Sequence, residues 1–205
     1  MISGFVAQKG KMTSIFDEKG NRVAVTICRA KPLTVTQVKN LEKDKYESIQ
    51  VAFGSKKNIH SAVAGKLKKN KLDLKPSKFK EFKKTSTEEI TVGTIISIDN
   101  VFSKDDSITI TGTSKGKGYA GVIKRHGFKK QPIRGSSNYV RHPGAIGAQT
   151  PSKVVKGKKM PGHMGNITKT IKGIKVFSVN KDTNEILICG SIPGAINSWV
   201  TISKN

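Results

Sequence analysis

Between Ser107 and Lys181 the chain carries sixteen lysines and arginines and no aspartate or glutamate. No ion pair can form inside such a stretch, and its like charges repel one another in any compact packing. Within it, residues 114–166 hold ten glycines and four prolines, a density that denies long helices and strands. A charged face that is merely solvated usually mixes signs, and this one does not. The segment can neither neutralise itself nor bury a core of its own. Its charge has to be met by anions on another molecule.

The rest of the chain is balanced differently. Residues 1–106 carry 21 basic and 12 acidic residues, and residues 182–205 carry one basic and two acidic, within a total of +24 over 205 residues. Such an excess implies a polyanionic partner, most often nucleic acid, with a membrane surface as the other common choice. No apolar run approaches the ~20 residues of a spanning helix. The first residues lack the apolar core of a secretory signal and the Arg- and Ser-rich pattern of a transit segment. The expected setting is the cytoplasm. Cys28 and Cys189 sit in alternating apolar runs and are expected to be reduced, buried thiols.

The flanking segments read as strands. "RVAVTI", "LTVTQV", "ESIQVAF", "TVGTIISI", "SITITGT", "IKVFSV", "EILICGSI" and "SWVTIS" are short runs rich in Val, Ile and Thr, broken by Gly, Pro, Asn or Asp. Runs of that kind without long helices between them predict an antiparallel barrel or sandwich. "FDEKGN" and "VNKDTNE" predict hairpin turns. Residues 1–53, 92–113 and 167–205 are assigned to the β part of a single domain. Residues 54–91, lysine-rich with one short helix near 60–70, are read as an inserted surface lobe. Residues 114–166 return to strands on both sides and so form an extended loop rather than a tail.

"GKGYAG", Gly116 to Gly121, matches G-x-G-x-x-G, but a dinucleotide fold needs a following helix and an acid about 20 residues on. "GVIKRHGFKKQP" is a poor helix and no acid follows until Asp182. "GTSKGKG" lacks P-loop spacing. His126, His142 and His163 fall in the segment, yet structural metal sites need tighter ligand pairs, so no metal and no cofactor is assigned. A catalytic carboxylate cannot come from within it. "NIT" at Asn166 matches a glycosylation acceptor without a secretory context.

RNA binding is the reading that remains. Phosphates neutralise clustered lysines with release of counterions. Glycines permit close backbone approach, and Tyr119, Phe128, Tyr139 and the histidines can stack on bases. The contacts are assigned to Lys115, Lys117, Tyr119, Lys124, Arg125, His126, Lys129, Lys130, Arg134, Arg141, His142, Gln149, Lys153, Lys156, Lys158, Lys159 and His163. No catalytic residue, small-molecule substrate or membrane contact is assigned.

Two long blocks, "TGTSKGKGYAGVIKRHGF" and "HPGAIGAQTPSKVVKGKKMPGHMGN", resemble the universal large-subunit ribosomal protein family called L-three, bacterial type. "GFVAQKGKMTSIF", "VTQVK" and "GSIPGA" fall in the family's order, so the resemblance spans essentially the whole chain. It implies a translation-factor-like antiparallel β-barrel with a long extension, built early into the large subunit on 23S-type RNA. The extension would run towards the peptidyl-transferase centre. The implied neighbours are proteins of the L-fourteen and L-nineteen families. A dedicated methyltransferase would convert Gln149 to N5-methylglutamine. The chain departs from the family pattern at Lys11 and Ser152, where glycine is usual, at Pro161, Gly162 and His163, and at His126 after Arg125. A non-ribosomal RNA-binding or assembly chaperone is the first alternative. An enzyme using "GKGYAG" for a nucleotide is the second.

Overall fold

Alternating Val, Ile and Thr produce strands whose successive side chains point to opposite faces. The computed structural model describes residues 2–85, 90–133 and 138–204. Its strands are β1 (Gly4–Phe16), β2 (Arg22–Arg29), β3 (Leu33–Lys39), β4 (Ser48–Phe53), β5 (Lys78–Phe82), β6 (Ile95–Ile96), β7 (Ser107–Thr113), β8 (Tyr119–Ala120), β9 (Gly162–His163), β10 (Thr168–Asn180), β11 (Glu185–Cys189) and β12 (Trp199–Lys204). Three short helices, α1 (Leu41–Asp44), α2 (Ser61–Lys69) and α3 (Val122–His126), and a 3-10 turn at Ile98–Asn100 complete it. The mainly β, antiparallel reading holds.

The chain forms two compact units, one made of Met1–Thr113 with Thr168–Asn205 and the other of Ser114–Ile167. In the first, six strands close into a ring in the order β1-β12-β7-β10-β11-β2, every pair antiparallel. A second sheet runs β5-β4-β3-β6. The core is one apolar cluster spanning both sheets, with Phe5, Ile49, Ile108, Ile110, Ile186, Ile188 and Ile202 fully buried. The pairs Ile108/Ile110 and Ile186/Ile188 show the two-residue period directly. Each such side chain stabilises the fold by about 1.5–3 kcal/mol through removal from water.

Both expected hairpin turns form. Gly20, at φ +78, closes the first through its N–H to the Asp17 carbonyl at 2.8 Å, and Asn184 N–H donates to Lys181 O at 3.2 Å in the second. "TVGTIISI" is corrected to the two residues of β6. Gly93 at φ +93 and a Thr91–Thr94 turn, held by Thr94 Oγ1 donating to Thr91 O at 2.9 Å, consume its first half. "EILICGSI" stops at Cys189 because Gly190 turns left-handed at φ +81. β10 starts six residues before "IKVFSV", carried by its ladder with β7 across a register shift between Ile171 and Ile174.

The segment at 54–91 supplies more than a lobe. Lys78–Phe82 pairs with β4, burying Phe82. The helix α2 lies where the sequence predicts one and buries Leu67. Polar bonds fasten this region to the sheet: Lys66 Nζ donates to Gln37 Oε1 at 2.7 Å and Gln50 Oε1 at 2.9 Å, and Asn70 Nδ2 to Thr36 O at 2.8 Å. The two thiols are free, but only Cys28 is buried; Cys189 is half-exposed, since it ends its strand. Burial pushes the Cys28 thiol up to about 12, against a smaller opposing effect of the Lys9 charge, which makes it an unreactive core residue.

Candidate nucleic-acid interface

The Ser114–Ile167 unit is held by backbone pairing rather than by a core. Its two ends run side by side. Ser114 N–H donates to Ile167 O at 2.9 Å and Asn166 N–H to Ser114 O at 3.2 Å. Lys117 N–H donates to Met164 O and Met164 N–H to Gly118 O, both at 2.9 Å. The ladder continues into β8 and β9, where Tyr119 faces His163 and Ala120 faces Gly162. Gly165 sits inside this ladder at φ +75, and a Cβ there would stand 2.1 Å from the Lys115 carbonyl oxygen. Only glycine fits.

The helix α3 follows directly, contrary to the expectation that this stretch would not form one. It is a single turn: Arg125 N–H donates to Gly121 O at 2.9 Å, and Gly127 at φ +72 ends it with an N–H to Ile123 O at 3.0 Å. Glycine at that left-handed position is a common helix stop. Five residues are too few to present a phosphate-binding helix end, and no acid stands about 20 residues on to hold a ribose. The nucleotide reading of "GKGYAG" gains nothing from the helix.

Among the described residues of this unit only Ala120 and Val122 are buried. Lys115, Lys117, Tyr119, Lys124, Arg125, Lys129, Lys130, Arg141, His142, Gln149, Lys153, Lys156, Lys158, Lys159 and His163 are exposed. His126 is half-buried, and Arg134 lies outside the described residues. Tyr119 leaves 77 % of its surface open. Two of the assigned contacts also act inward. Arg125 Nη1 donates to Met160 O at 2.7 Å, and the His126 ring nitrogen Nε2 lies 3.0 Å from the same oxygen. Gly162 leaves room for that guanidinium, since a Cβ there would approach Arg125 Nη1 to 2.7 Å. Arg125 and His126 thus tie α3 to the returning strand.

Aromatic and imidazole rings come in pairs. His126 and Phe128 have centroids 6.0 Å apart, and Tyr139 meets His142 edge to face at 5.0 Å. Gln149 is exposed at a turn in which Ser152 Oγ donates to Gln149 O at 2.6 Å. Ser152 occupies a left-handed conformation at φ +54, the kind that favours glycine. Among the described residues no three His, Cys, Asp or Glu side chains group closely enough to hold a metal ion.

The contrast in charge pairing is plain. In the first unit Lys39 Nζ lies 2.8 Å from Glu81 Oε1, Lys204 Nζ 2.9 Å from Asp106 Oδ2 and Lys181 Nζ 3.3 Å from Asp99 Oδ2, and Lys104 pairs with Glu18. The Lys39 hydrogen bond holds the Glu81 carboxyl below the usual range. The Ser114–Ile167 unit has twelve lysines and arginines and no acid to pair with them. The described residues of this unit thus present exposed cations and aromatic rings without carboxylates beside them.

The family model described as ribosomal protein L3 matches residues 83–192. A protein named "Large ribosomal subunit protein uL3" from Brachyspira pilosicoli is 43 % identical, covering 98 % of this chain and 93 % of its own length. Proteins of the same name from Oceanobacillus iheyensis and Leptospira biflexa are 41 % and 40 % identical, each covering all of this chain and 98 % and 99 % of their own lengths. With more than half the chain matched by the family model and relatives similar from end to end, the chain belongs to the ribosomal protein L3 family.

Proposed function

We propose that this chain is a structural constituent of the large ribosomal subunit and binds the subunit's RNA through Ser114–Ile167, without catalysis of its own. The observation that carries the reading is a folded-back loop of twelve cations with no carboxylate and, among its described residues, two buried side chains. Such a loop cannot stabilise itself by burial. Phosphates supply the missing charge, and the release of their counterions drives binding. Lys115, Lys117, Lys124, Lys129, Lys130, Arg134, Arg141, Lys153, Lys156, Lys158 and Lys159 are the phosphate contacts. Tyr119, His142 and His163 present rings to bases. Arg125 and His126 combine contact with the internal tie to Met160.

The finer reading follows the family resemblance. The first unit serves as a rigid β-barrel base of the translation-factor type, and the extension reaches through RNA towards the peptidyl-transferase centre. The protein enters the subunit early and lies beside the L-fourteen and L-nineteen family proteins. The exposed Gln149 is the acceptor of a methyl group from a dedicated methyltransferase. Among the described residues no helix is long and apolar enough to cross a membrane, and the reading needs none.

Sedimentation of a cell lysate through a high-salt gradient separates this reading from an RNA chaperone. A constituent locked into folded RNA stays in the large-subunit peak at salt concentrations that strip electrostatic adherents. A chaperone moves to the top of the gradient. The second outcome would remove the structural role.

A further inference from the structure

The barrel unit carries a second basic surface, lined by residues of that unit alone, and it is built around the chain's one tryptophan. A groove of about 460 Å³ opens between Gln8, Lys31, Thr34, Phe53, Lys75 and Trp199. That size falls within the range of small-ligand sites. The indole of Trp199 is half-buried and fixed on two sides. The Phe53 ring meets it edge to face with centroids 5.0 Å apart. The backbone of Gly54, at φ +72, passes so close that a Cβ there would stand 3.0 Å from Trp199 Cζ2. The Gln8 amide is held by Nε2 donating to Asn197 O at 3.0 Å.

The rim is cationic. Lys31 and Lys75 are both exposed, and among the described residues neither pairs with a carboxylate. No acidic residue lines the groove. The adjoining hollow of about 240 Å³, which shares Pro76, contributes Lys56 and His60 and again no acid. The wider setting agrees: residues 54–85 carry eleven lysines against two acids. A fixed indole beneath a cationic rim, with amide and hydroxyl groups in the walls, is the chemistry of a nucleotide site.

We propose that this groove takes one unstacked nucleotide of the RNA, its base against Trp199 and its flanking phosphates on Lys31 and Lys75. The inference rests on RNA being the partner but not on Ser114–Ile167 making the contact. A peptide would need a carboxylate for each cation and a ring for the indole set side by side, whereas a nucleotide carries phosphate and flat base in one residue.

Because Trp199 is the only tryptophan, its fluorescence reports on this groove alone. The full chain is titrated with a dye-labelled mixed-sequence single-stranded RNA, following dye anisotropy and indole emission together. Quenching that saturates with binding is expected. Inorganic polyphosphate, which has charge but no base to stack, should leave the emission unchanged. Lys31→Ser with Lys75→Ser should raise the RNA concentration for half-quenching about tenfold while leaving the unfolding midpoint in place. Neutralising Lys156, Lys158 and Lys159 should leave the quenching amplitude at saturation intact. RNA binding by anisotropy without quenching would overturn the groove assignment alone. Absence of RNA binding by both signals would overturn this inference and the functional reading together. Quenching by polyphosphate, or quenching insensitive to the Lys31 and Lys75 changes, would also overturn it.

Discussion

Replacing Lys156, Lys158 and Lys159 by glutamine is expected to weaken binding to large-subunit RNA by about a hundredfold at 0.15 M salt. Each phosphate contact contributes ~0.7–0.9 to the slope of log affinity against log salt. Three lost contacts should therefore flatten that slope by roughly 2–3. All three side chains are exposed, in a stretch without carboxylates, so their removal costs no internal ion pair. Lys104→Gln is the matched comparison. That lysine already pairs with Glu18, and its loss should leave both affinity and slope close to the unaltered protein. Filter binding of the two variants across a salt series checks both. An unchanged slope in the triple variant would mean that these lysines meet water and not phosphate.

Gly165→Ala should have the second large effect, and for a purely geometric reason. The residue lies at φ +75, which costs an L-residue about 1–2 kcal/mol. The added Cβ would also stand 2.1 Å from Lys115 O and 3.1 Å from Gly116 Cα. Both are backbone atoms of the facing strand, so relief requires the two strands to separate. The pairing of 114–119 with 162–167 would then open, with loss of the hydrogen bonds on both sides of Gly165. The expected result is a fall of tenfold or more in incorporation into large subunits, with the thermal unfolding of the barrel unchanged. Gly157→Ala is the control. Gly157 has a similar φ of +82 but nothing within 4 Å, so only the conformational cost applies and incorporation should change little. Equal behaviour of the two variants would show that the strand pairing does not matter for assembly.

How far the sequence foretold these features depended on whether the signal was local. Strand β7 was readable residue for residue, because "SITITGT" alternates cleanly and ends where the glycine-rich segment begins. The helix near 60–70 and the two hairpin turns were also local signals. Strand β1 was not readable as a strand, because "QKGKM" interrupts its alternation. The structure accommodates the interruption with a register shift between Lys9 and Met12. Gly10 lets the β2 backbone approach there, since a Cβ would stand 2.8 Å from Ile27 O. Strand β5 was hidden by composition. "KFKEF" does not alternate, since Phe79 and Phe82 are three residues apart and face opposite ways, and its lysines blend into a lysine-rich run.

The same division applies to the site. The charge of Ser114–Ile167 was legible because it is a property of composition. The inward turn of Arg125 and His126 onto Met160 was not, since those residues are 35 and 34 positions apart in sequence. The groove at Trp199 was not legible either. Its lining comes from separated stretches around Gln8, Lys31, Phe53, Lys75 and Trp199, which only the packing of the two sheets brings together.

Amide hydrogen exchange of residues 114–133 and 138–167, in the free chain and in the assembled large subunit, asks whether this segment takes its shape from RNA. With so little apolar surface buried, these amides should exchange fast in the free protein while those of the barrel strands stay protected. In the subunit they should become as slow as the barrel. Protection in the free chain equal to that of β7 or β11 would mean that the loop holds its shape without RNA, the opposite of what its composition implies.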